Sequence, residues 1–204
     1  MKIQTVIRQL GLREYESVWQ DMLRFTAERG PETADEIWIT EHPPVYTLGL
    51  NGKHHHLLHQ NAIPLVESDR GGQLTYHGPG QLIVYLLADL RRLAMGPRQV
   101  VTLLENAMIN TLSAYGISAH ARPEAPGVYV DAKKIGALGL RIKRACCYHG
   151  LSLNNAMDLS PFRDINPCGF AGLEVTQLAD LGVLVQTNEL ALPVIHHIIK
   201  AIES

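Results

Sequence analysis

Cys168 is the residue of this chain whose setting best fits a nucleophile. It sits in Asn166-Pro167-Cys168-Gly169, a turn from which a side chain can project beside free N–H groups. A structural cysteine more often lies inside an apolar strand or helix. An ordinary thiol has a pKa of about 8.5 and is only about 3% thiolate at neutral pH. A cation that lowered this by roughly two units would make it mostly thiolate. Lys133 and Lys134 stand at the head of a strand-like run and could supply that charge. Spacing alone does not say which of the two faces inward. His77 and His149 each precede glycine at the edge of an expected strand, and could act as acid, base or positioning donor. The plainer reading makes them satisfied structural residues. Cys146 and Cys147 follow the basic run Arg141-Ile142-Lys143-Arg144 and read as ordinary thiols. Three cysteines cannot all pair in one chain, so reduced thiols inside a cell are expected.

A second feature is Arg70-Gly71-Gly72-Gln73-Leu74-Thr75-Tyr76-His77-Gly78-Pro79-Gly80-Gln81, which runs into the apolar Leu82-Ile83-Val84-Tyr85. Its glycines bracket side chains that can hydrogen-bond, so it reads as an exposed polar loop beside a buried strand, where sites tend to be built. The run Lys134-Ile135-Gly136-Ala137-Leu138-Gly139-Leu140 is stripped of bulk, as a strand is where a ligand or another backbone comes close. Cysteine, a cationic activator, a polar loop and a bare strand together fit acyl transfer through a thioester, with a slot for an apolar chain. His54, His55, His56 and His59 form the densest histidine cluster. His55 and His59 would share a helical face, but no acidic or cysteine ligand stands nearby to complete a shell. A polar surface turn is the better reading, and no metal site is expected.

These groups need elements to hold them. A weak alternation over 2–8 suggests a strand, and Tyr15, Val18, Trp19, Met22, Leu23 and Thr26 give a helix one apolar face over 13–29, stopped by Gly30-Pro31. Strands are expected at 35–40, 45–49 and 82–87, with Leu65-Val66-Glu67-Ser68-Asp69 leading into the glycine-rich stretch. A helix from Pro97 to Gly116 would bury Val100, Val101, Leu104, Ala107, Met108, Thr111 and Tyr115. A hairpin follows over 128–142, then a strand over 148–154, a short helix from Ser160-Pro161, and an amphipathic helix over 188–203 capped by Asn188. The sum is an α+β fold, with a mixed β-sheet and flanking helices in one domain spanning 1–204. At 204 residues, 46% hydrophobic and 19% charged, the chain can bury a sizeable core. A net charge of −2 argues against broad nucleic-acid binding. No apolar run reaches the length of a membrane span and the N-terminus lacks a signal-peptide pattern, so cytosol is the expected compartment.

The order Arg-Gly-Gly-x-x-Thr-Tyr-His-Gly-Pro-Gly-Gln at 70–81 resembles the signature of the lipoyl(octanoyl) transferases. The similarity continues through Glu41-His42-Pro43-Pro44-Val45-Tyr46-Thr47-Leu48-Gly49, Pro126-Gly127-Val128-Tyr129-Val130, Lys134-Ile135, Leu138-Gly139-Leu140-Arg141, His149-Gly150, Asn154 and Ile165-Asn166-Pro167-Cys168-Gly169. Asn155 departs from the family pattern, where a small apolar residue is expected. The resemblance implies the fold of lipoate and biotin protein ligases. It also implies movement of an octanoyl group from acyl carrier protein to a lysine on lipoyl domains of 2-oxoacid dehydrogenases and of the glycine cleavage system protein H. By the same resemblance Cys168 is the acyl-thioester nucleophile and Lys134 lowers its pKa. Arg70, Gly71, Gly72, Gln73, Leu74, Thr75, Tyr76 and His77 would line the acyl pocket. Ala137, Leu138, Gly139, Gly150, Leu151 and Ser152 would complete it, with His149 beside them. Thioester exchange is nearly isoenergetic and amide formation is downhill, so no cofactor or nucleotide is expected, and no phosphate-cradling Walker sequence is found. Arg141, Lys143 and Arg144, with Arg91 and Arg92, could steer an acidic carrier protein, or form a solvated strand end. An ATP-dependent lipoate or biotin ligase, or a non-catalytic carrier-binding module, are the alternatives.

Overall fold

The fold is that of a computed structural model, which describes residues 4–169 and 172–203, Cys168 by its backbone. In chain order the strands and helices are β1 (Val6–Leu12), α1 (Tyr15–Glu28), β2 (Glu36–Glu41), β3 (Val45–Leu48), β4 (Leu65–Glu67), β5 (Leu74–His77), β6 (Gln81–Asp89), α2 (Pro97–Ala114), β7 (His120–Ala121), β8 (Val128–Val130), β9 (Lys133–Lys143), β10 (Cys146–Asn154) and α3 (Thr187–Glu203). They make two sheets rather than the one expected. The larger has the order β1-β2-β6-β10-β9-β8-β7, and the smaller β4-β3-β5. The β1–β2 and β3–β4 pairs are parallel, while the other neighbours run antiparallel. This is an α+β arrangement of mixed sheets with three helices.

The central strand β6 explains the layering. Its apolar run is buried on both faces, so it lacks the alternation of a half-exposed strand. Leu82, Val84, Leu86 and Ala88 point into a core closed by α2 and α3. Ile83, Tyr85 and Leu87 point the other way, onto Val18 and Met22 of α1. Pro97 opens α2 where a missing N–H leaves no bond unmade, and Gln99 Oε1 accepts from Gly96 N–H at 2.7 Å. In α3 Asn188 stands one residue inside the helix, its Oδ1 accepting from Glu189 N–H at 2.9 Å. Among the described residues no helix is long and apolar enough to cross a membrane.

Two further expectations need correcting. The first strand runs over Val6–Leu12 rather than 2–8, and residues 1–3 lie outside the described residues. The glycine-rich stretch is not an exposed loop throughout, because Leu74–His77 is a strand with all four residues buried. Leu74 and Tyr76 join Tyr46 and Phe162 in a small core of their own. Thr75 and His77 point to the opposite side, toward the large sheet, as the two-residue period of a strand requires.

Candidate acyl-transfer site

The bare strand acquires its meaning from register. Gly139 of β9 lies opposite Gly150 of β10, and Ala137 opposite Ser152. Continuing across the sheet, Gly150 pairs with Tyr85 and Ser152 with Ile83 of β6. Two rows of small side chains, each closed by a large one, thus leave a trough in the sheet face. The Arg70–Gln73 loop and β5 roof this trough, and Tyr15 of α1 also lines it. About 500 Å³ of unfilled space results, part of it open to solvent. The roof lies close because Gly139 has no side chain: a Cβ there would meet Gly71 O at 2.8 Å. Gly71 N–H donates to Leu140 O at 2.9 Å and ties the loop to the edge of β9.

Many lining residues are polar by type, yet the slot meets mostly carbon. Tyr15 Oη pairs with Ser68 Oγ at 2.6 Å, and Tyr85 Oη donates to His42 Nε2 at 2.7 Å. His77 donates from Nδ1 to Gln81 Oε1 at 2.7 Å, and its Nε2 accepts from the Thr47 hydroxyl at 3.3 Å. Arg70 donates from Nε and Nη2 to Thr47 Oγ1, which leaves the Thr47 proton for His77. Each polar head is engaged behind the ring it belongs to, so the rings offer apolar faces to a ligand. His149 sits at positive φ (63°) and donates from Nε2 to Asp69 Oδ1 at 2.9 Å. Burial would push the Asp69 carboxyl up, but His149, Tyr148 and Trp19 donate to it and hold it at about 2.

Thr75, Ala137 and Ser152 also line a second, smaller pocket, together with Lys134 and Pro167. Lys134 is the inward lysine. It is 3% exposed, and its Nζ donates to Pro126 O at 2.9 Å over the Tyr129 ring. Lys133 points outward and pairs with Glu174 at 3.3 Å. The wall behind Lys134 requires a glycine: Gly127 has φ +140°, and a Cβ on it would stand 2.4 Å from Lys134 Cε. Gly127 N–H is in turn held by Glu105 Oε1 at 2.9 Å, a carboxylate on the buried face of α2. Pro167–Gly169 forms a turn of 3-10 helix packed on β5. The side chain of Cys168 lies outside the described residues.

The structure therefore gathers Arg70, Gly72, Gln73, Leu74, Thr75, His77, Ala137, Leu138, Gly139, His149, Gly150, Leu151 and Ser152 around one slot. Gly71 and Tyr76 do not line it: the first ties the roof to β9, and the second packs on Tyr46 and Phe162. Tyr15, Ile83 and Tyr85 line it without having been singled out, because at the sequence level they fit ordinary core positions. Glu105 and His42 were missed too, although a carboxylate on an apolar helix face is a signal in itself. Cys146 and Cys147 are buried in β10, and burial pushes the Cys147 thiol up to about 12. Among the described residues no group of three His, Cys, Asp or Glu side chains could hold a metal. Arg91 and Arg92 bond to Asp89 and Asp35, leaving Arg141, Lys143 and Arg144 as the basic end of the β9–β10 hairpin.

A family model described as the lipoyl protein ligase A/B catalytic domain matches residues 15–199. A protein of Laribacter hongkongensis named octanoyltransferase is 61% identical over 192 residues, covering 94% of this chain and 93% of that protein. The chain belongs to the octanoyltransferases of the lipoyl protein ligase A/B family. Solved structures carry the likeness of fold much further than that of sequence. The bi-partite lipoate protein ligase of Thermoplasma acidophilum has a TM-score of 0.78 at 15% identity, over 98% of this chain and 84% of that one. A biotin protein ligase of Aquifex aeolicus has a TM-score of 0.56 at 13% identity, over 98% and 70%. This octanoyltransferase-family chain thus has the lipoate and biotin ligase fold.

The buried histidines make a prediction about acid. Burial pushes His42 down to about 4 and His77 to about 3, so both are neutral in the folded chain. Unfolded, each takes up a proton near pH 6.5. The unfolded state then holds more protons, so stability falls as pH drops from about 6.5 toward about 4. Two such groups give a slope approaching about 2.7 kcal/mol per pH unit. Urea midpoints measured across this range should fall steeply, and His42→Gln should flatten the fall. A flat profile in the parent protein would refute the assignment of both rings as neutral.

Proposed function

We propose that this protein is an octanoyltransferase of lipoate biosynthesis, acting as one catalytic domain over 1–204 in the cytoplasm. It takes the octanoyl group from acyl carrier protein onto Cys168 as a thioester. It then delivers the group to a lysine of the lipoyl domains of 2-oxoacid dehydrogenase complexes and of glycine cleavage system protein H. The observation that carries this reading is the wall that two neighbouring pockets share. Thr75, Ala137 and Ser152 line both the apolar slot and the pocket of Lys134 and Pro167, the residue before the proposed nucleophile.

In the first half-reaction the Cys168 thiolate adds to the acyl carbon, and the carbonyl π pair moves to oxygen. Collapse breaks the bond to the carrier's sulfur, which leaves with the proton that the Cys168 thiol gave up. In the second half-reaction the acceptor amine adds to the same carbon. Collapse then forms the amide, and the amine's surplus proton returns to the Cys168 sulfur. The Lys134 ammonium favours the thiolate in both halves by its charge. His77 is placed for positioning rather than for taking the acceptor's proton, since burial leaves it a weak base at about 3. Arg141, Lys143 and Arg144 are a reasonable landing site for an acidic carrier.

The test is to mix the protein with octanoyl-acyl carrier protein, without nucleotide, and record the intact mass. A gain of one octanoyl group is expected, absent in Cys168→Ser, and lost to an added lipoyl domain as a lysine amide. A strict requirement for ATP would replace this reading with that of an acyl-adenylate ligase.

A further inference from the structure

The four histidines at 54–59 have different surroundings. His54 pairs with Glu67 at 3.1 Å and His59 with Asp164 at 3.5 Å, both at the surface. His56 turns inward. A Cβ built on Gly169 would stand 3.3 Å from its Nε2, so the ring lies against the residue that follows Cys168. The placement is built into the backbone. Leu57 bridges Ile165 in antiparallel fashion, Leu58 N–H donates to Asp164 O at 2.7 Å, and Asn166 N–H donates to His56 O at 2.8 Å. The 56–58 segment is thus strapped to the residues leading into the Pro167–Gly169 turn.

The other ring nitrogen decides what His56 can offer. Nδ1 is sealed from solvent and has no hydrogen-bond partner among the described residues. A neutral imidazole carries one proton, and a buried N–H left unpaired is rarer than a buried acceptor left unpaired. The proton therefore belongs on Nε2, the nitrogen that faces the turn. Burial, with His55 and Lys53 close by, keeps the ring below its ordinary pKa. A neutral N–H donor facing the turn that carries the nucleophile is suited to stabilising charge on a thioester oxygen.

Resting on the octanoyl-transfer reading, we infer that His56 is a catalytic residue, its Nε2–H donating a hydrogen bond to the oxyanion of the tetrahedral intermediates formed on Cys168. The intermediates are the two described above, and the hydrogen bond adds no proton-transfer step to either. The assignment also accounts for one member of a histidine cluster in which His54 and His59 pair with surface carboxylates.

Two reactions of the same sulfur separate this role from a structural one. Acylation by octanoyl-acyl carrier protein passes through an oxyanion, whereas alkylation by iodoacetamide is a displacement at saturated carbon and does not. In His56→Ala the single-turnover rate of Cys168 acylation should fall about 10²–10³-fold, the usual cost of losing one such donor. Alkylation should stay within about twofold. His56→Gln, which restores an N–H, should recover about tenfold or more. Acylation by His56→Ala within about threefold of the parent would overturn the proposal. So would acylation and alkylation falling together in both variants, which would mark the strap as merely structural. If the parent protein takes up no octanoyl group at all, the transferase reading itself fails, a result distinct from either.

Discussion

Ala137→Leu should cut octanoyl transfer roughly 10³-fold while leaving the cysteine reactive. Ala137 lies on the wall shared by the slot and the Lys134 pocket, and its partner across the strands is the small Ser152. A leucine there would occupy the path of the chain. Octanoyl brings seven carbons past its carbonyl, and each buried CH₂ is worth about 0.8 kcal/mol. Denying most of them the slot removes about 4–5 kcal/mol of binding, or roughly 10³-fold in kcat/KM. Acetyl or butyryl thioesters, which end before the obstruction, should lose far less. Iodoacetamide should still alkylate Cys168 at the parent rate, and a thermal melt would exclude unfolding. Equal losses for butyryl and octanoyl donors would show that the acyl chain takes another route.

The obstruction argument shows why the site was only half legible in the sequence. Local pattern was readable. The apolar spacing of Tyr15, Val18, Met22 and Thr26 gave α1, and the glycines and alanine of β9 announced a bare face. What the bare face is opposed to is a matter of register, and only the pairing of Gly139 with Gly150 and Ala137 with Ser152 turns it into a slot. The stretch from 70 to 81 was misjudged in part because glycine and polar residues suggest exposure. Thr75 and His77 are instead buried, with distant partners in Thr47 of β3, opposite Thr75 and bonded to His77, and in Tyr15 of α1, stacked on His77. The choice between Lys133 and Lys134 likewise depended on a remote segment. Pro126 and Gly127 fold over one lysine, and Glu105 of α2 fixes that fold. Residue types mark candidates, but long-range hydrogen bonds select among them.

Lys134→Met, compared with Lys133→Met, carries the same logic to the chemistry. Methionine keeps much of the lysine volume inside the Gly127 wall but removes the charge. An opposite charge nearby lowers a pKa by one to three units, so its loss should raise the pH midpoint of Cys168 alkylation by that amount. At neutral pH the thiolate would drop from the major form toward the roughly 3% of an ordinary thiol. Octanoyl uptake should fall at least tenfold, and rising pH should restore alkylation as the thiol ionises unaided. Lys133→Met breaks a surface pair with Glu174 and should leave both the midpoint and the transfer rate near those of the parent. Alkylation followed by intact mass can report on Cys168 because Cys146 and Cys147 are buried, with thiols raised by that burial. A midpoint that does not move in Lys134→Met would remove the electrostatic role. The buried lysine would then act by holding Pro126 and Tyr129 in place, and the loss of transfer would follow packing rather than charge.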